Sequence, residues 1–436
     1  MQTSLSLELF IEHSRQGSYF TLPFAMPPNI ERLDLSYSYD RFPESAVQVE
    51  AGAFTARPET NVIDLGLIAP DGSQVGASGA DKRSIFVSEI DATPGYLPIP
   101  LTAGQWQILV GAYKVGPQGV KVIYELGFTH KALRLFKGDL HTHTLASDGV
   151  LTVTELAQRA LRHGLDFLAI TDHNQSCVSA ALPRLPGLTL IPGVEWTHYQ
   201  GHANFLGVDR PYDEPFVTHT FEEAQARFIS ARQRGAFIMI NHPFEAGCEF
   251  KLDFKALPFD CLEVWNGPIR ESNLRAIGLW QSLLEANLKV PICGGSDYHR
   301  DSPFIIPGGP TTCVYAQSAS VSDLLTALRQ GHAYITFAPF GPNLALTAGE
   351  AILGDTVAWE KVKQIDFSVD SLWATDVVRV VTDQGSQPVL EAPSAGKFDM
   401  SLPIAGPGFA RVEVLRSFIP GLPKLPALIS NPIYFR

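Results

Sequence analysis

The chain has 436 residues, of which 45% are hydrophobic, and a formal net charge of −12 at pH 7. This length suits two or three domains, and the apolar content excludes a chain that is disordered throughout. The negative charge, with Lys and Arg scattered along the chain, argues against nucleic acid as the main partner.

Signals for membrane insertion, secretion and disulfide bonding are missing from the sequence. No stretch approaches 18 consecutive apolar residues, and the first residues lack a basic segment followed by an apolar run. The cysteines are odd in number and form no CxxC pair, which argues against a disulfide framework or a structural zinc knuckle. We therefore expect a cytoplasmic protein without membrane contact. Homo-oligomer formation is left open.

The first segment, residues 1–130, has short stretches of alternating hydrophobicity and little helical period. Ser4 to Ile11 and Ile30 to Tyr39 are two of them, and turn signals such as Met26-Pro27-Pro28 separate such stretches. This pattern predicts a β-rich, sandwich-like N-terminal domain. Its expected role is packing or oligomerisation, with a role in shaping the substrate site as the alternative.

The middle segment, residues 131–338, alternates between strand and helix patterns. Leu165 to Ile170 is a short apolar run typical of a buried parallel strand, and Phe221 to Arg234 has the period of an amphipathic helix. Successive βα units predict an α/β domain with a parallel sheet or barrel. After residue 338 the helical period ends, and residues 339–436 are predicted to form a second β-rich, sandwich-like domain.

Side chains that bind metal ions collect where the predicted strands of the middle segment end. The pair His141 and His143 lies on an extended segment, so both imidazoles point to the same side. Such a pair is typical of a transition-metal site. The full set contains His141, His143, Asp148, His173, Glu195, His202, His242, Asp297 and His299.

This set is too large for one ion, which takes about four to six ligands. It suits two or three divalent ions if a carboxylate bridges them, and Glu195 is well placed to do so. Mixed imidazole and carboxylate ligands favour Zn, Mn or Fe over Ca. Clustered ions of this kind activate water and neutralise a phosphoryl oxygen.

The motifs HTHTLASDG, ITDHN, PGVEW, INHP and GSDYH, in this order, resemble those of the polymerase-and-histidinol-phosphatase (PHP) superfamily. The resemblance covers residues 131–338 and implies a distorted (β/α)7 barrel with two or three metal ions and phosphoester hydrolysis. The flanking phrases ATPGYLP and ISNPIYF resemble the CehA/McbA-type hydrolases of that superfamily.

The same resemblance implies three ligand sets. The first ion would be held by His141, His143, Glu195 and Asp297, and the second by Asp148, His173 and His299. The third would be held by Glu195, His242 and a further histidine, for which His202 is preferred over His198.

The amidohydrolase superfamily also opens with His-x-His, but usually adds a bridging lysine and a lone late aspartate. This chain instead has Asp148 five residues after His143, Glu195, and the Asp297-x-His299 pair. These differences favour the PHP superfamily.

The functional hypothesis is a hydrolase in which a metal-bound hydroxide attacks the phosphorus of a small phosphoester. Asp148 and His299 are the candidate catalytic groups, and Arg300 is a candidate for binding an anionic group in a bidentate manner. Asp172 is a candidate for orienting a ligand. Two alternatives stay open: hydrolysis of a carboxylic or carbamate ester at the same centre, and a metal-stabilised binding module without turnover.

Overall fold

A computed structural model describes residues 2–42, 49–51, 54–56 and 59–436 of the chain. It divides into two compact units, Met1–Ala132 and Leu133–Arg436. Among the described residues, no helix has the length and apolar character that a membrane crossing requires.

The first unit consists of β-strands, as the alternating hydrophobicity predicts. Its strands are β1 (Gln2–Ile11), β2 (Ser18–Met26), β3 (Ile30–Tyr39), β4 (Val49–Ala51), β5 (Phe54–Ala56), β6 (Val62–Ile68), β7 (Gln74–Ser78), β8 (Ser84–Ser88), β9 (Gly104–Lys114) and β10 (Val120–His130). Two antiparallel sheets, in the orders β1-β10-β3-β8 and β2-β9-β6-β7, contribute to one apolar core. Leu35 of the first sheet and Ile108 of the second are both buried in that core, which gives the unit two packed layers.

The second unit begins with strands and helices in alternation. These elements are β11 (Arg134–Asp139), α1 (Val153–Arg162), β12 (Phe167–Ile170), β13 (Thr189–His198), β14 (Gly201–Leu206), α2 (Phe221–Gln233), β15 (Phe237–Ile240), β16 (Cys261–Asn266), α3 (Glu271–Glu285), β17 (Ile292–Gly295), β18 (Thr311–Ala316), α4 (Val321–Gln330) and β19 (Ala333–Thr336).

It continues with strands alone, as predicted for residues 339–436. These are β20 (Asn343–Ala348), β21 (Ala351–Ile352), β22 (Thr356–Val357), β23 (Gln364–Leu372), β24 (Val377–Thr382), β25 (Gly385–Glu391), β26 (Gly396–Pro403), β27 (Gly408–Arg416), β28 (Leu425–Ser430) and β29 (Ile433–Phe435).

The central sheet is mixed. Its strands follow the order β17-β16-β15-β14-β13-β12-β11-β18-β19-β28-β27-β24-β25, with β22 and β29 attached beside β27. The β11–β12–β13 pairs and the β15–β16–β17 pairs are parallel, whereas β14 is antiparallel to both of its neighbours. The predicted (β/α)7 barrel is therefore not shown. The reason at β14 is local: His198 pairs with Gly201, and so short a turn joins antiparallel strands only.

Residues 339–436 continue the central sheet, because β19 pairs with β28 in antiparallel register. A second sheet, β21-β20-β23-β26, lies in the same unit, and its Leu346 shares an apolar core with Cys313 and Tyr334. The structure thus groups residues 133–436 as one unit. The division of the chain at 130 and 338 into three domains stays a prediction.

Candidate metal centre

The centre lies where the strands of the second unit end. His141 and His143 follow β11, His173 follows β12, His242 follows β15, and Asp297 follows β17. In a sheet with parallel strands, the carboxyl ends of neighbouring strands lie side by side and are the usual place for a site. Two backbone hydrogen bonds join the segments after β11 and β17: Asp297 N–H donates to His141 O, and His143 N–H to Tyr298 O, both at 2.9 Å.

Glu195 of β13 occupies the middle of the centre and is fully buried. Its Oε1 lies 3.2 Å from His141 Nε2 and 3.1 Å from His202 Nδ1. The same oxygen lies 3.3 Å from His242 Nε2. The second oxygen, Oε2, lies 2.7 Å from His173 Nδ1. One carboxylate thus faces imidazoles from four different segments, which is the position that a bridging ligand requires.

Asp297 completes a group with the His-x-His pair. Its Oδ1 lies 3.4 Å from His141 Nε2 and 3.0 Å from His143 Nε2. His143 Nε2 is also 3.5 Å from Glu195 Oε2. The structure therefore brings together all four residues of the first predicted ligand set around a common point.

A second group lies nearer the solvent. Asp148 Oδ1 is 3.2 Å from His299 Nε2 and 3.7 Å from His173 Nε2. His299 Nδ1 lies 2.8 Å from the Asp297 carbonyl oxygen, and because a carbonyl only accepts, the proton of this ring belongs on Nδ1. In the neutral tautomer of this ring, Nε2 then has the lone pair, on the side of Asp148. The Asp148 side chain is 56% exposed, so this group is open to water.

The third group lies at Glu195 Oε1 and contains His202, the histidine that was preferred over His198 from the sequence. His198 Nε2 donates to Thr218 O at 3.0 Å and its ring stacks on Trp196, so its contacts are directed elsewhere. His242, by contrast, joins His202 at Glu195 and is 6% exposed.

The carboxylates and imidazoles of the centre shift each other's pKa. Burial disfavours the ionised form of Glu195, but the charge of His141 and hydrogen bonds from the surrounding histidines outweigh burial and hold its pKa well below the ordinary value. Burial also disfavours protonation of His141, yet the carboxylates of Asp297, Glu195 and Glu263 raise its pKa well above the ordinary value. The pocket therefore attracts positive charge, and a divalent cation is a suitable source of that charge.

Buried polar atoms at the same place test whether a cation fits. Among the described residues, no hydrogen bond of ordinary geometry is made by His141 Nε2, by either ring nitrogen of His143 or by Glu195 Oε2, although oppositely charged groups lie close to them. Leaving a buried polar atom unpaired costs about 1–3 kcal/mol. All of these atoms are metal-ligand types, so the donor set fits divalent cations.

Some residues that hold the candidate ligands in place were not predicted from the sequence. Buried Glu263 of β16 accepts a hydrogen bond from His141 Nδ1 at 3.1 Å and from the His242 backbone N–H at 2.9 Å. Asn241 Nδ2 donates to Glu195 Oε1 at 2.9 Å. A signal for Glu263 was available: it is the one carboxylate in the otherwise uncharged strand CLEVWN, where a charge without a partner is costly.

Asp172 supports the centre indirectly. Its carboxylate accepts hydrogen bonds from Thr144 N–H, Thr144 Oγ1 and Ser147 Oγ, each at 2.7 Å. These contacts fix the turn that precedes Asp148. Arg300 is exposed beside that turn, with its guanidinium 3.4 Å from the Asp148 carbonyl oxygen.

The region around this centre also matches known sequences. Residues 139–242 match the PHP domain family model. The matched PHP span contains seven of the nine predicted ligands, and Asp297 and His299 lie beyond it.

Curated relatives cover the same region. The 5'-3' exoribonuclease Rnm of Salmonella typhimurium is 39% identical over 100 residues, which are 20% of this chain and 34% of the relative. The 3',5'-nucleoside bisphosphate phosphatase of Chromobacterium violaceum is 34% identical over 105 residues, which are 22% of this chain and 36% of the relative. The chain thus spans about a third of the length of these relatives.

Solved structures show a weaker likeness. A two-domain protein from Bacteroides vulgatus, described as containing a predicted PHP-like metal-dependent phosphoesterase, has a TM-score of 0.41 and 18% identity, over 68% of this chain and 95% of that chain. An amidohydrolase from Chromobacterium violaceum has a TM-score of 0.29 and 20% identity, over 38% of this chain and 89% of that chain.

Proposed function

We propose that this protein is a metal-dependent phosphoesterase that acts on a small phosphoester. The observation that carries the proposal is the position of Glu195, a buried carboxylate whose oxygens face imidazoles on both sides. The PHP match over residues 139–242 and the names of the matched relatives, an exoribonuclease and a nucleoside bisphosphate phosphatase, support the same reaction class.

Two or three divalent ions, Zn, Mn or Fe, would fit this ligand set. His141, His143, Glu195 and Asp297 would hold the first ion. Asp148, His173 and His299 would hold the second, and Glu195, His202 and His242 the third. Bound cations of this type lower the pKa of a water ligand and stabilise the charge of a phosphoryl oxygen. A β-bridge between Thr142 and Tyr298 joins the segments after β11 and β17. This contact supports a distorted barrel around the centre, which we include in the proposal.

The side chains at the open edge of the centre have distinct proposed roles. His299, with its proton held on Nδ1 by the Asp297 carbonyl, presents Nε2 toward Asp148 and the solvent side. Asp148 contacts His173 and His299 of the second group. The turn that Asp172 stabilises holds Asp148 in position. The exposed Arg300 guanidinium would bind a second anionic group of the substrate in a bidentate manner.

A nucleotide or the end of an oligonucleotide is the leading substrate class within this proposal, because the relatives are named an exoribonuclease and a nucleoside bisphosphate phosphatase. This revises the expectation against nucleic acid, since a mononucleotide or an oligonucleotide end would need only local positive charge. The likeness of the flanks to CehA/McbA-type hydrolases keeps a carboxylic or carbamate ester as the second candidate. The five free cysteines fit the reducing cytoplasm that we propose as its location.

The test is a hydrolysis panel with Mn or Zn: p-nitrophenyl phosphate, a nucleoside 3',5'-bisphosphate, a dinucleotide and 1-naphthyl carbamate. We expect turnover of phosphoesters and its loss in His143→Ala and Asp297→Ala, with the exposed His219→Ala as a matched control. If the carbamate were hydrolysed faster than the phosphoesters, the protein would be an esterase and not a phosphoesterase. No turnover across the panel would favour a binding module.

A further inference from the structure

The loop after β15 folds back over the metal centre. His242 has a positive backbone φ of 25°, and its backbone N–H is held by Glu263 at 2.9 Å. Two turns follow: Glu245 N–H donates to His242 O at 3.0 Å, and Cys248 N–H donates to Glu245 O at 3.1 Å. As a result, Cys248 Sγ lies 3.8 Å from His242 Nδ1.

Cys248, His202 and His242 together form a group of metal-ligand atoms. One ligand atom of each residue lies within 4.8 Å of the others. In a tetrahedral zinc site with ordinary Zn–S and Zn–N bond lengths, a sulfur and a nitrogen are separated by about 3.6 Å. The 3.8 Å between Cys248 Sγ and His242 Nδ1 is close to that separation, and it is also within the range of a hydrogen bond to sulfur.

The two ring nitrogens of His242 face different partners. Nε2 lies 3.3 Å from Glu195 Oε1, and Nδ1 faces Cys248. If Nε2 carries the proton and donates to Glu195, Nδ1 has a lone pair for a cation on the Cys248 side. The third cation is then held by Cys248 in place of Glu195, which replaces the Glu195–His202–His242 set of the proposed function.

We propose that His202, His242 through Nδ1, and Cys248 through its thiolate hold a zinc-class cation, with one position left for water. Binding breaks the S–H bond of Cys248, and the proton leaves to solvent as the metal–sulfur bond forms. Three protein ligands and one open position are the arrangement of reactive rather than purely structural zinc sites. The inference concerns metal binding and stands whether or not the substrate is a phosphoester.

The thiolate gives this position a preference that the other groups lack. Soft sulfur ligands select zinc over manganese, whereas imidazole and carboxylate ligands accept either ion. We therefore expect one zinc-selective position in a centre whose remaining positions also accept manganese.

The experiment uses the full-length protein, stripped by chelation and reloaded with Co²⁺. A cobalt–thiolate bond produces a charge-transfer absorption band in the near ultraviolet, which nitrogen and oxygen ligands do not produce. We expect this band in the wild type and in Cys177→Ser, whose half-buried cysteine lies outside the group. In Cys248→Ser the band should disappear, one zinc equivalent should be lost or bound at least about tenfold more weakly, and the other ions should remain.

A wild-type cobalt protein without the band, or a Cys248→Ser variant that keeps it, would overturn the assignment. X-ray absorption at the zinc edge of the wild-type protein gives an answer that needs no variant. A sulfur scatterer at about 2.3 Å is expected. Spectra described by nitrogen and oxygen alone would instead make Cys248 a hydrogen-bond neighbour of His242 and end the proposal.

Discussion

Replacing Glu263 with glutamine should weaken metal binding at the first ligand set without removing a ligand. Glu263 accepts three hydrogen bonds: one at Oε1 from His141 Nδ1, and two at Oε2, from the His242 backbone N–H and Asn266 Nδ2. A glutamine has only one acceptor oxygen. If it faces the two donors on the Oε2 side, its NH₂ group faces His141.

That exchange changes the tautomer of His141. An NH₂ group opposite Nδ1 needs an acceptor there, so the ring proton moves to Nε2. His141 Nε2 is the atom that lies 3.2 Å from Glu195 and 3.4 Å from Asp297, where the cation is expected. A protonated Nε2 cannot bind it. Removing an outer partner of a metal-binding histidine typically costs about 10–100-fold in affinity, or about 1.4–2.7 kcal/mol.

The assay is competition of the wild type, Glu263→Gln and Glu285→Gln with a fluorescent chelator. Glu285 is an exposed glutamate of α3 and serves as the matched control. The unfolding temperature of each metal-free protein separates a loss of folding from a loss of affinity. If a folded Glu263→Gln protein bound the ions as tightly as the wild type, the tautomer argument would be wrong.

Three further predictions follow from other contacts. Asp172→Asn should release the turn before Asp148 and weaken the binding of one ion by about tenfold, as measured by metal titration. A variant with the stoichiometry and affinity of the wild type would contradict the role of this turn. Asp376→Ala should lower the free energy of unfolding by about 3–5 kcal/mol, because it leaves the buried Arg416 without its carboxylate. A denaturation midpoint within error of the wild type would contradict that reasoning. Chelation should destabilise the protein by about 2.7 kcal/mol for each ion that was present at a hundredfold excess over its Kd, read as a lower unfolding temperature that returns on reloading.

The ends of the strands were the most predictable part of the site. An extended segment fixes which way His141 and His143 point, and ligand types that recur after successive apolar runs mark one edge of a sheet. The first helix was predictable for a local reason as well: Thr152 and Glu155 form a capping box at its start, and α1 begins at Val153.

The parts that were missed depend on contacts between distant segments. Glu263 meets His141 across 122 positions of sequence. Its role therefore required the fold, although its burial in a strand was a signal. Cys248 reaches the centre only through the turns after His242, for which the sequence has no periodic pattern.

The mixed sheet was missed for a different reason. Alternating strand and helix patterns favour parallel units, but the Tyr199-Gln200 turn joins β13 and β14 without a helix. Likewise, the change of pattern after residue 338 marks a change of secondary structure, whereas β28 pairs with β19 and continues the same sheet.

We propose that cations bind on both sides of the Glu195 carboxylate. Crystals of the metal-loaded protein, with anomalous diffraction recorded at the edges of zinc and manganese, test it directly. We predict one anomalous peak beside Glu195, shared with His143 and Asp297, and a separate peak on the His242 side of that carboxylate. Peaks located only away from Glu195, or none in protein that binds these ions in solution, would contradict the account.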